Sequence, residues 1–256
     1  MNTMYDDLSS DYDRFVDWPA RLALELPFIV QELCKVEAHR VLDAACGTGM
    51  HAIALAQQGY EVVGTDLSPR MIEQARANAT SARVAVRFAV AGFGELHTKV
   101  GGDFDAVLCL GNSLPHLLTP DDLEAALSDF AACLRAGGLL LIQNRNFDRV
   151  LAQRERWQEP QYHREGEREW LFLRFYDFEP DGTITFNLVT LQRQGAGKWD
   201  QRVTAARLWP QRRDELLEAL QKAGFAEISC WGDMEGHPYE WGKSGNLVIT
   251  AKSLQN

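Results

Sequence analysis

The amino-acid sequence predicts an α/β protein in which a parallel sheet carries helices on both faces. Three observations support this fold class. Short apolar runs alternate with helical segments up to about residue 150, which is the pattern of a parallel sheet. The 256 residues are 46% hydrophobic and 24% charged, which is an ordinary globular composition. Beyond residue 150 the chain alternates apolar and polar residues between tight turns, which predicts a small antiparallel sheet.

Each element is predicted from its apolar pattern and its boundary residues. The parallel strands are expected at residues 40–44, 60–66, 84–90, 104–110 and 139–142. Ser68-Pro69 and Thr119-Pro120 each combine an N-cap with proline at the first helical position, so helices begin there. Gly137-Gly138 is expected to end the second of these helices. Residues 170–178 and 183–192 form a hairpin around Asp181-Gly182, and a third strand is expected at 203–209. A helix at 213–223 and two last strands complete the chain.

Charge and composition exclude several kinds of partner. The formal net charge is −10, so a polyanion is repelled and no nucleic acid is predicted as a partner. No apolar run approaches the ~20 residues that span a bilayer, and we expect no membrane contact and no signal peptide. The five cysteines form no CxxC pair, which predicts reduced thiols and a cytoplasmic location. His163 and His237 lack metal-like spacing, so no metal is predicted.

A glycine-rich loop between two acids predicts a nucleotide-like cofactor. The loop from Gly47 to Ala52 fits GxGxxG/A, and Asp66 ends the second strand, where a carboxylate binds ribose hydroxyls. Asp43 lies just before the loop. A carboxylate there repels a pyrophosphate but attracts a ligand that carries ammonium and sulfonium groups. The loop therefore favours S-adenosylmethionine over NAD, while glycines that serve only a turn are a third interpretation.

Three ordered motifs, VLDAACGTG, VVGTDLSPRM and LRAGGLLLI, resemble those of class I S-adenosylmethionine-dependent methyltransferases over roughly residues 40–145. The resemblance implies a Rossmann-like, seven-stranded, mostly parallel sheet whose last strand, near 247–251, runs antiparallel. S-adenosylmethionine is the implied cofactor and S-adenosylhomocysteine the product. A single domain is expected, with four parts: an N-terminal helical segment (1–39), a cofactor-binding half (40–150), an inserted antiparallel sheet as a substrate lid (160–210), and a C-terminal helix with strands (211–256).

The resemblance also implies which residues bind the cofactor. Four are expected to hold its methionine part: Asp43, Ala45, Gly47 and Gly49. Asp66 is expected on the ribose diol, and Leu67 against adenine. Many relatives have an Asp after the third strand where this chain has Gly92, so we expect the Phe93 backbone and apolar contacts to hold adenine. Four further cofactor-binding candidates lie in the N-terminal segment and in the loop after the fourth strand: Tyr12, Leu110, Asn112 and Ser113.

Two stretches are similar to those of glycine N-methyltransferases and glycine/sarcosine methyltransferases. Residues 110–117 match their LGNSxxHL segment, and residues 137–148 match their GGLLVIDHRNYD segment, with Gln143-Asn144 in place of Asp-His. The (D/N)PP(Y/F) tetrapeptide of enzymes that methylate nucleobases or glutamine amides does not follow the fourth strand. The resemblance implies a small amine as the methyl acceptor, and the Asp-His replacement leaves its identity open.

The chemistry of methyl transfer suggests the remaining candidates. The sulfonium is already a good leaving group, so the protein mainly aligns the acceptor and excludes water. An acceptor carboxylate needs an arginine fork, for which Arg145, Arg174 and Arg207 are candidates. Asn146 and His116 match family positions and join Arg174 as candidate catalytic residues, and Asn146 also as a substrate-binding one. Three aromatic residues are expected to line the substrate cleft: Tyr176, Trp209 and Tyr239.

Several functions remain open from the sequence alone. The same cofactor serves methyltransferases that act on oxygen, sulfur or carbon of a small molecule. A non-catalytic protein that binds S-adenosylmethionine has the same loop. The last alternative to amine methylation is an NAD oxidoreductase, and Asp43 argues against it. The sequence leaves the oligomeric state undetermined.

Overall fold

The computed structural model of the chain describes residues 6, 9 and 11–254. Its strands, in chain order, are β1 (Arg40–Ala44), β2 (Glu61–Asp66), β3 (Arg87–Val90), β4 (Phe104–Cys109), β5 (Leu134–Arg145), β6 (Gln161–Glu165), β7 (Arg168–Phe178), β8 (Ile184–Gln194), β9 (Asp200–Leu208), β10 (Phe225–Trp231) and β11 (Asn246–Ser253). The helices of the described residues are α1 (Tyr12–Phe15), α2 (Trp18–Lys35), α3 (Met50–Gln57), α4 (Pro69–Ala82), α5 (Leu96–Val100), α6 (Pro120–Cys133), α7 (Phe147–Gln153) and α8 (Arg213–Lys222), with a 3₁₀ turn at Leu114–His116.

Seven strands form one sheet in the order β10-β11-β5-β4-β1-β2-β3. The first five strands pair in parallel, whereas β11 runs antiparallel to both β5 and β10. The predicted fold class, including the antiparallel last strand, is confirmed. The strand order reverses between β1 and β4, so the loops that follow these two strands lie side by side at the carboxyl edge, where such sheets bind ligands.

A second sheet, which we call the lid sheet, consists of the consecutive antiparallel strands β6, β7, β8 and β9. The predicted hairpin turn is present, since Asp181 Oδ1 accepts a hydrogen bond from the Thr183 backbone at 3.1 Å. The apolar pattern of the sequence did not predict β6, because this strand is short and polar. The division of the chain into the four predicted parts remains a prediction.

Apolar side chains cover both faces of the large sheet. Alternate residues of β5 point to opposite faces, so Leu140 and Ile142 pack with α5, α6 and α8, while Leu139 and Leu141 pack with α2, α3 and α4. Full burial of a side chain of this size contributes roughly 1.5–3 kcal/mol. These two apolar layers hold the carboxyl edge of the sheet rigidly under the candidate site.

Two predicted boundaries are wrong. The helix α6 ends at Cys133 because Leu134 already pairs with Phe104 of β4, so Gly137-Gly138 lies inside β5 and does not end a helix. The third strand begins at Arg87, where pairing with Val63 of β2 starts. The predicted N-terminal part begins at residues 1–5, which lie outside the described residues. No described helix has both the length and the apolarity to cross a membrane.

Candidate functional site

The carboxylate of Asp66 is held by the backbone of the glycine loop. Its Oδ2 accepts a hydrogen bond from the Gly47 N–H at 2.9 Å, and its Oδ1 accepts one from the Ser68 N–H at 2.9 Å. Burial raises the pKa of Asp66, and these two backbone donors oppose that rise. Each oxygen keeps a second lone pair for a ligand.

The turn between β1 and α3 depends on unusual backbone angles. Gly49 has φ +80°, and a Cβ atom there would lie 2.8 Å from the Phe88 ring, so only glycine lets the loop pack this closely. Gly47 has φ +55°, and Ala45 adopts φ +61°. These angles bring the backbone of the loop close to the end of β1, where ligands bind in such sheets.

Asp43 is a buried acid with an oxygen left unpaired. It is 2% exposed at the end of β1, and its Oδ2 has no hydrogen-bond partner among the described residues. Burial, followed by the charge of Asp66, raises the pKa of Asp43 to about 7. Such a carboxyl group is stabilised in its charged form by a nearby cation. The structure thus offers an acceptor for a positively charged group beside the glycine loop.

The residues predicted to meet adenine lie together near the end of β3. Leu67 is 62% exposed, and a Cβ atom on Gly92 would lie 3.1 Å from its Cδ1. Phe93 turns inward and meets the Phe130 ring edge-on at 5.4 Å. An exposed leucine beside an open glycine is a flat apolar surface on which a base can stack.

The loop after β4 is tied to β5 by hydrogen bonds. Asn112, with φ +69°, donates its N–H to the Gln143 carbonyl at 3.0 Å, and its Oδ1 accepts from the Arg145 N–H at 2.9 Å. The Ser113 hydroxyl donates to the Leu110 carbonyl at 2.9 Å. The predicted residues of this loop therefore share one rigid turn next to the glycine loop.

A cavity of about 280 Å³ lies between the N-terminal segment, the loop after β4 and the lid sheet. Its lining residues are Tyr12, Phe15, Val16, Asp17, Arg21, Gly111, Gln161 and Arg174. Two of the predicted site residues, Tyr12 and Arg174, are thus brought to one cavity from distant parts of the chain.

Arg174 points inward from β7. It shares its strand face with Trp170, Phe172 and Tyr176, all of which are buried. The Arg174 guanidinium lies 5.0 Å from the Phe15 ring, and its Nε has no hydrogen-bond partner among the described residues. Burial, together with the charge of Arg145, lowers the pKa of Arg174.

Arg145 and Tyr176 interact electrostatically with Arg174. Both guanidinium groups lower the burial-raised pKa of Tyr176, so the three side chains form one charged corner. The Arg145 Nη2 donates to Glu155 at 3.2 Å, but its Nε also lacks a partner among the described residues. Two buried guanidinium nitrogens without acceptors make this corner suited to a carboxylate.

Tyr12 connects the glycine loop to the cavity. A Cβ atom on Gly47 would lie 3.7 Å from its ring. Burial raises the pKa of the Tyr12 phenol, which also senses the charges of Arg21 and Asp66. The helix α1 is fixed to the sheet half because Asp13 accepts hydrogen bonds from Thr48 at 2.6 Å and from Asn78 at 3.0 Å.

Asn146 is already fully hydrogen-bonded within the protein. It is 1% exposed; its Nδ2 donates to the carbonyls of Trp241 at 2.9 Å and Ser244 at 3.0 Å. Its Oδ1 accepts from the Arg149 N–H at 3.2 Å and from the Tyr239 hydroxyl at 2.8 Å. An amide has two donors and two acceptor sites, so none is left for a substrate. In this structure these bonds cap α7, and the predicted substrate contacts of Asn146 and Tyr239 stay predictions.

Three other predicted residues are not among those that line the cavity. Arg207 pairs with Asp181 at 2.6 Å on the exposed hairpin turn. The Trp209 N–H donates to the Pro115 carbonyl at 2.8 Å, and its ring packs on the core. Burial lowers the pKa of His116 to about 4, so this histidine is neutral near pH 7.

Sequence reasoning missed polar residues that face the cavity from α2. Arg21 lines the cavity, and Glu25, one turn later, is buried beside it. Both lie on the inward face of α2 together with Phe28 and Ile29. A basic and an acidic residue four positions apart on an apolar stripe is a pattern that could have identified them.

One cluster of potential metal ligands occurs among the described residues. The ligand atoms of Asp233, Glu235 and His237 lie within 4.8 Å of one another, so His237 does have carboxylates nearby. The Asp233 carboxylate already accepts hydrogen bonds from the backbone of Glu235 at 2.9 Å and of His237 at 3.2 Å. These hydrogen bonds stabilise the turn at residues 233–237, and Glu235 and His237 are exposed.

The chain is similar to known methyltransferases in sequence. Residues 41–138 match a family described as a methyltransferase domain. The glycine/sarcosine N-methyltransferase of Parasynechococcus marenigrum is 40% identical over 146 residues, which are 57% of this chain and 52% of that enzyme. The alignment thus spans about half of that relative's length. The glycine/sarcosine N-methyltransferase of Aphanothece halophytica is 30% identical over 234 residues, 91% of this chain and 84% of that enzyme.

A solved structure supports the fold. An S-adenosylmethionine-dependent methyltransferase from Clostridium acetobutylicum superposes with a TM-score of 0.78 over 97% of this chain and 98% of that one. The sequences are only 17% identical, so this likeness bears on the architecture alone.

Proposed function

Because the chain belongs to the class I S-adenosylmethionine-dependent methyltransferases, we propose that it methylates the amine nitrogen of a small amino acid of the glycine or sarcosine kind. The observation that carries this proposal is the inward-facing Arg174, whose Nε has no acceptor among the described residues. The names of the two aligned relatives support the same acceptor class.

The residues present fit S-adenosylmethionine, which supplies an electrophilic methyl group on a sulfonium. We propose that the unpaired Oδ2 of Asp43 accepts a hydrogen bond from its ammonium group and that Asp66 binds its ribose diol. Arg21, which lines the cavity beside Gly111, is proposed to meet its carboxylate. The other predicted cofactor contacts stay proposals: Tyr12, Ala45, Gly47, Gly49, Leu67, Gly92, Phe93, Leu110, Asn112 and Ser113.

We propose that Arg174 and Arg145 bind the carboxylate of the acceptor. Charge-assisted hydrogen bonds from a guanidinium are about twice as strong as neutral ones, and the planar fork fixes the orientation of the carboxylate. The same two positive charges disfavour a protonated amine in the cavity. They therefore favour the neutral amine, whose lone pair is needed for methyl transfer, without a general base.

Two of the remaining predicted residues take positioning roles in this proposal. Asn146 and Tyr239 hold the start of α7 next to the end of β5, which carries Arg145. The neutral His116 is packed in the turn after β4. Arg207 belongs to the hairpin turn of the lid sheet. A cytoplasmic location and a lack of nucleic-acid contact stay predictions.

A product screen tests the proposal. The protein is incubated with S-adenosylmethionine and one of a series of acceptors, and mass spectrometry detects the methylated products. We expect turnover of glycine or sarcosine and none of methylamine, which has the amine without the carboxylate. Turnover only of phenols or thiols would replace nitrogen by oxygen or sulfur as the methylated atom. Tight binding of S-adenosylmethionine with no turnover of any acceptor would favour a non-catalytic binding protein.

A further inference from the structure

A buried carboxylate on α2 is connected to the cavity by side-chain hydrogen bonds. Glu25 is 4% exposed, and its Oε1 accepts a hydrogen bond from the Gln143 Nε2 at 2.7 Å. Its Oε2 accepts from the Arg21 Nε at 3.0 Å and lies 2.7 Å from the His51 Nε2. Burial raises the pKa of Glu25, but its hydrogen bond to His51 and the charge of Arg21 lower that pKa to about 2. Glu25 is therefore charged inside the protein.

The amide of Gln143 connects this carboxylate with the cavity wall. Its Oε1 accepts hydrogen bonds from the Gly111 N–H at 3.1 Å and from the Arg21 Nη2 at 3.2 Å. Gly111 and Arg21 both line the cavity. Because the Gln143 Nε2 donates to Glu25, its amide has one orientation, with the oxygen turned towards Gly111.

We propose that Glu25 is a positioning residue for methyl transfer, which acts through Gln143 and Arg21 to hold the loop after β4 in the conformation that binds the methionine end of the cofactor. The inference rests on the proposed function. The family pattern GGLLVIDHRNYD has an acid where this chain has Gln143. In this chain the acid lies on α2, and the Gln143 amide donates to it.

Hydrogen-bond donors explain why an amide cannot replace the carboxylate at position 25. The substitution Glu25→Gln must keep an oxygen towards Arg21 and His51, which leaves an NH₂ group facing the Gln143 Nε2. Rotation of the Gln143 amide would relieve this contact but would turn an NH₂ group towards the Gly111 N–H and Arg21. Either arrangement sets donor against donor, which leaves buried polar groups unsatisfied.

A reciprocal exchange of acid and amide restores every partner. In E25Q/Q143E the amide on α2 donates to the carboxylate on β5, which accepts from Gly111 and Arg21 with its other oxygen. The single substitution Gln143→Glu instead places two carboxylates in direct contact, and their repulsion is unfavourable. The three variants therefore separate the hydrogen-bond pattern from the presence of any one side chain.

Isothermal titration with S-adenosylmethionine tests the proposal on the full chain. We expect E25Q and Q143E each to weaken binding by at least tenfold, and E25Q/Q143E to bind within threefold of the unsubstituted protein. At saturating S-adenosylmethionine, the KM of the acceptor for E25Q should stay within twofold. The matched control is Glu32→Gln, another buried glutamate of α2, which pairs with Lys35 and does not line the cavity. Its affinity should be unchanged.

The outcomes separate this proposal from the proposed function. If the unsubstituted protein does not bind S-adenosylmethionine, the proposed function fails. If it binds and E25Q binds within twofold, or the double variant is as weak as the weaker single one, the positioning role is overturned and the function stands. A rise in acceptor KM as large as the rise in Kd also overturns it. Should thermal unfolding show that E25Q does not fold, the comparison of E25Q/Q143E with Q143E decides.

Discussion

The sheet side and the lid side of the candidate site leave opposite charges unpaired. On the sheet side the unpaired atom is a carboxyl oxygen of Asp43, and on the lid side it is a guanidinium nitrogen of Arg174. The Arg174 Nη2 donates a hydrogen bond to the Glu159 carbonyl, but the distance is long, 3.4 Å. A site with this polarity fits one ligand that brings a cation and another that brings an anion. Under the proposed function, the ammonium of the cofactor is drawn to the sheet side and the carboxylate of the acceptor to the lid side.

The two sides are also built differently. Asp66 is held by backbone donors only 2 and 19 residues away, which belong to the loops that follow β2 and β1. The lid side joins α1, β5 and β7, which are far apart in the chain, and Arg174 is oriented by packing on Phe15. The sheet side is therefore fixed by local structure, whereas the lid side depends on how separate elements dock.

The largest expected effect tests the lid side alone. Arg174→Gln removes the positive charge and the fork that we propose for the acceptor carboxylate. Two lost charge-assisted hydrogen bonds at roughly 1.5 kcal/mol each correspond to about a 100-fold fall in kcat/KM for the acceptor. The affinity for S-adenosylmethionine should stay within twofold, as measured by titration.

The matched control for this variant is Arg207→Gln on β9 of the same sheet, because that guanidinium pairs with Asp181 at the exposed turn. It should change kcat/KM by less than twofold. Equal losses of acceptor and cofactor binding in R174Q would show that the two sides are not separate.

The second effect tests the sheet side alone. Asp66→Asn keeps the shape of the side chain but removes the charge, and its NH₂ group opposes either the Gly47 or the Ser68 N–H. We expect S-adenosylmethionine to bind about 30-fold more weakly, which corresponds to roughly 2 kcal/mol. Glu61→Gln, at the exposed start of the same strand, is the control. Unchanged affinity in D66N would remove Asp66 from the cofactor site.

The sequence predicted the strands and loops of the sheet side because their determinants are local. The positive φ values of Gly47 and Gly49 and the strand-end position of Asp66 are properties of one motif, and each is readable without knowing what packs above it. The same holds for the N-cap of Ser68, which accepts from the Met71 N–H at 3.1 Å. The antiparallel last strand followed from the family resemblance.

The lid side could not be predicted in the same detail because its determinants are long-range. No local pattern indicates that the Asn146 amide donates to the carbonyls of Trp241 and Ser244, nearly a hundred residues away. The alternation of residue types along β7 also does not show which face of the strand points inward. That choice is made by the docking of Phe15 against Phe172, with ring centroids 5.4 Å apart.

A smaller effect is expected from pH on the sheet side. Asp43 has a pKa of about 7 when it lacks a cationic partner, so lowering the pH below 7 protonates it and removes the charge that binds an ammonium. The α-amino group of the ligand, with a pKa near 8, stays protonated in this range. Linkage then predicts roughly fivefold weaker binding of S-adenosylmethionine at pH 6 than at pH 7.

Titration between pH 5.5 and 7.5 measures this dependence. Asp43→Asn should bind more weakly and show a flat profile across the same range, since it has no proton to exchange. A profile in D43N as steep as that of the unsubstituted protein would assign the dependence to another group.

The smallest effect tests whether α1 links the two sides. Asp11 accepts from Arg202 of the lid sheet at 2.6 Å, while Tyr12 lies against the glycine loop. Arg202→Gln removes a partly exposed ion pair that contributes about 0.2–1 kcal/mol. We expect the Kd of S-adenosylmethionine and the KM of the acceptor to rise together, each two- to threefold, because a looser α1 affects both sides. The control Arg193→Gln removes a lid ion pair with Glu169 that does not involve α1. If only the Kd of S-adenosylmethionine or only the KM of the acceptor rises, α1 supports one side of the site and not both.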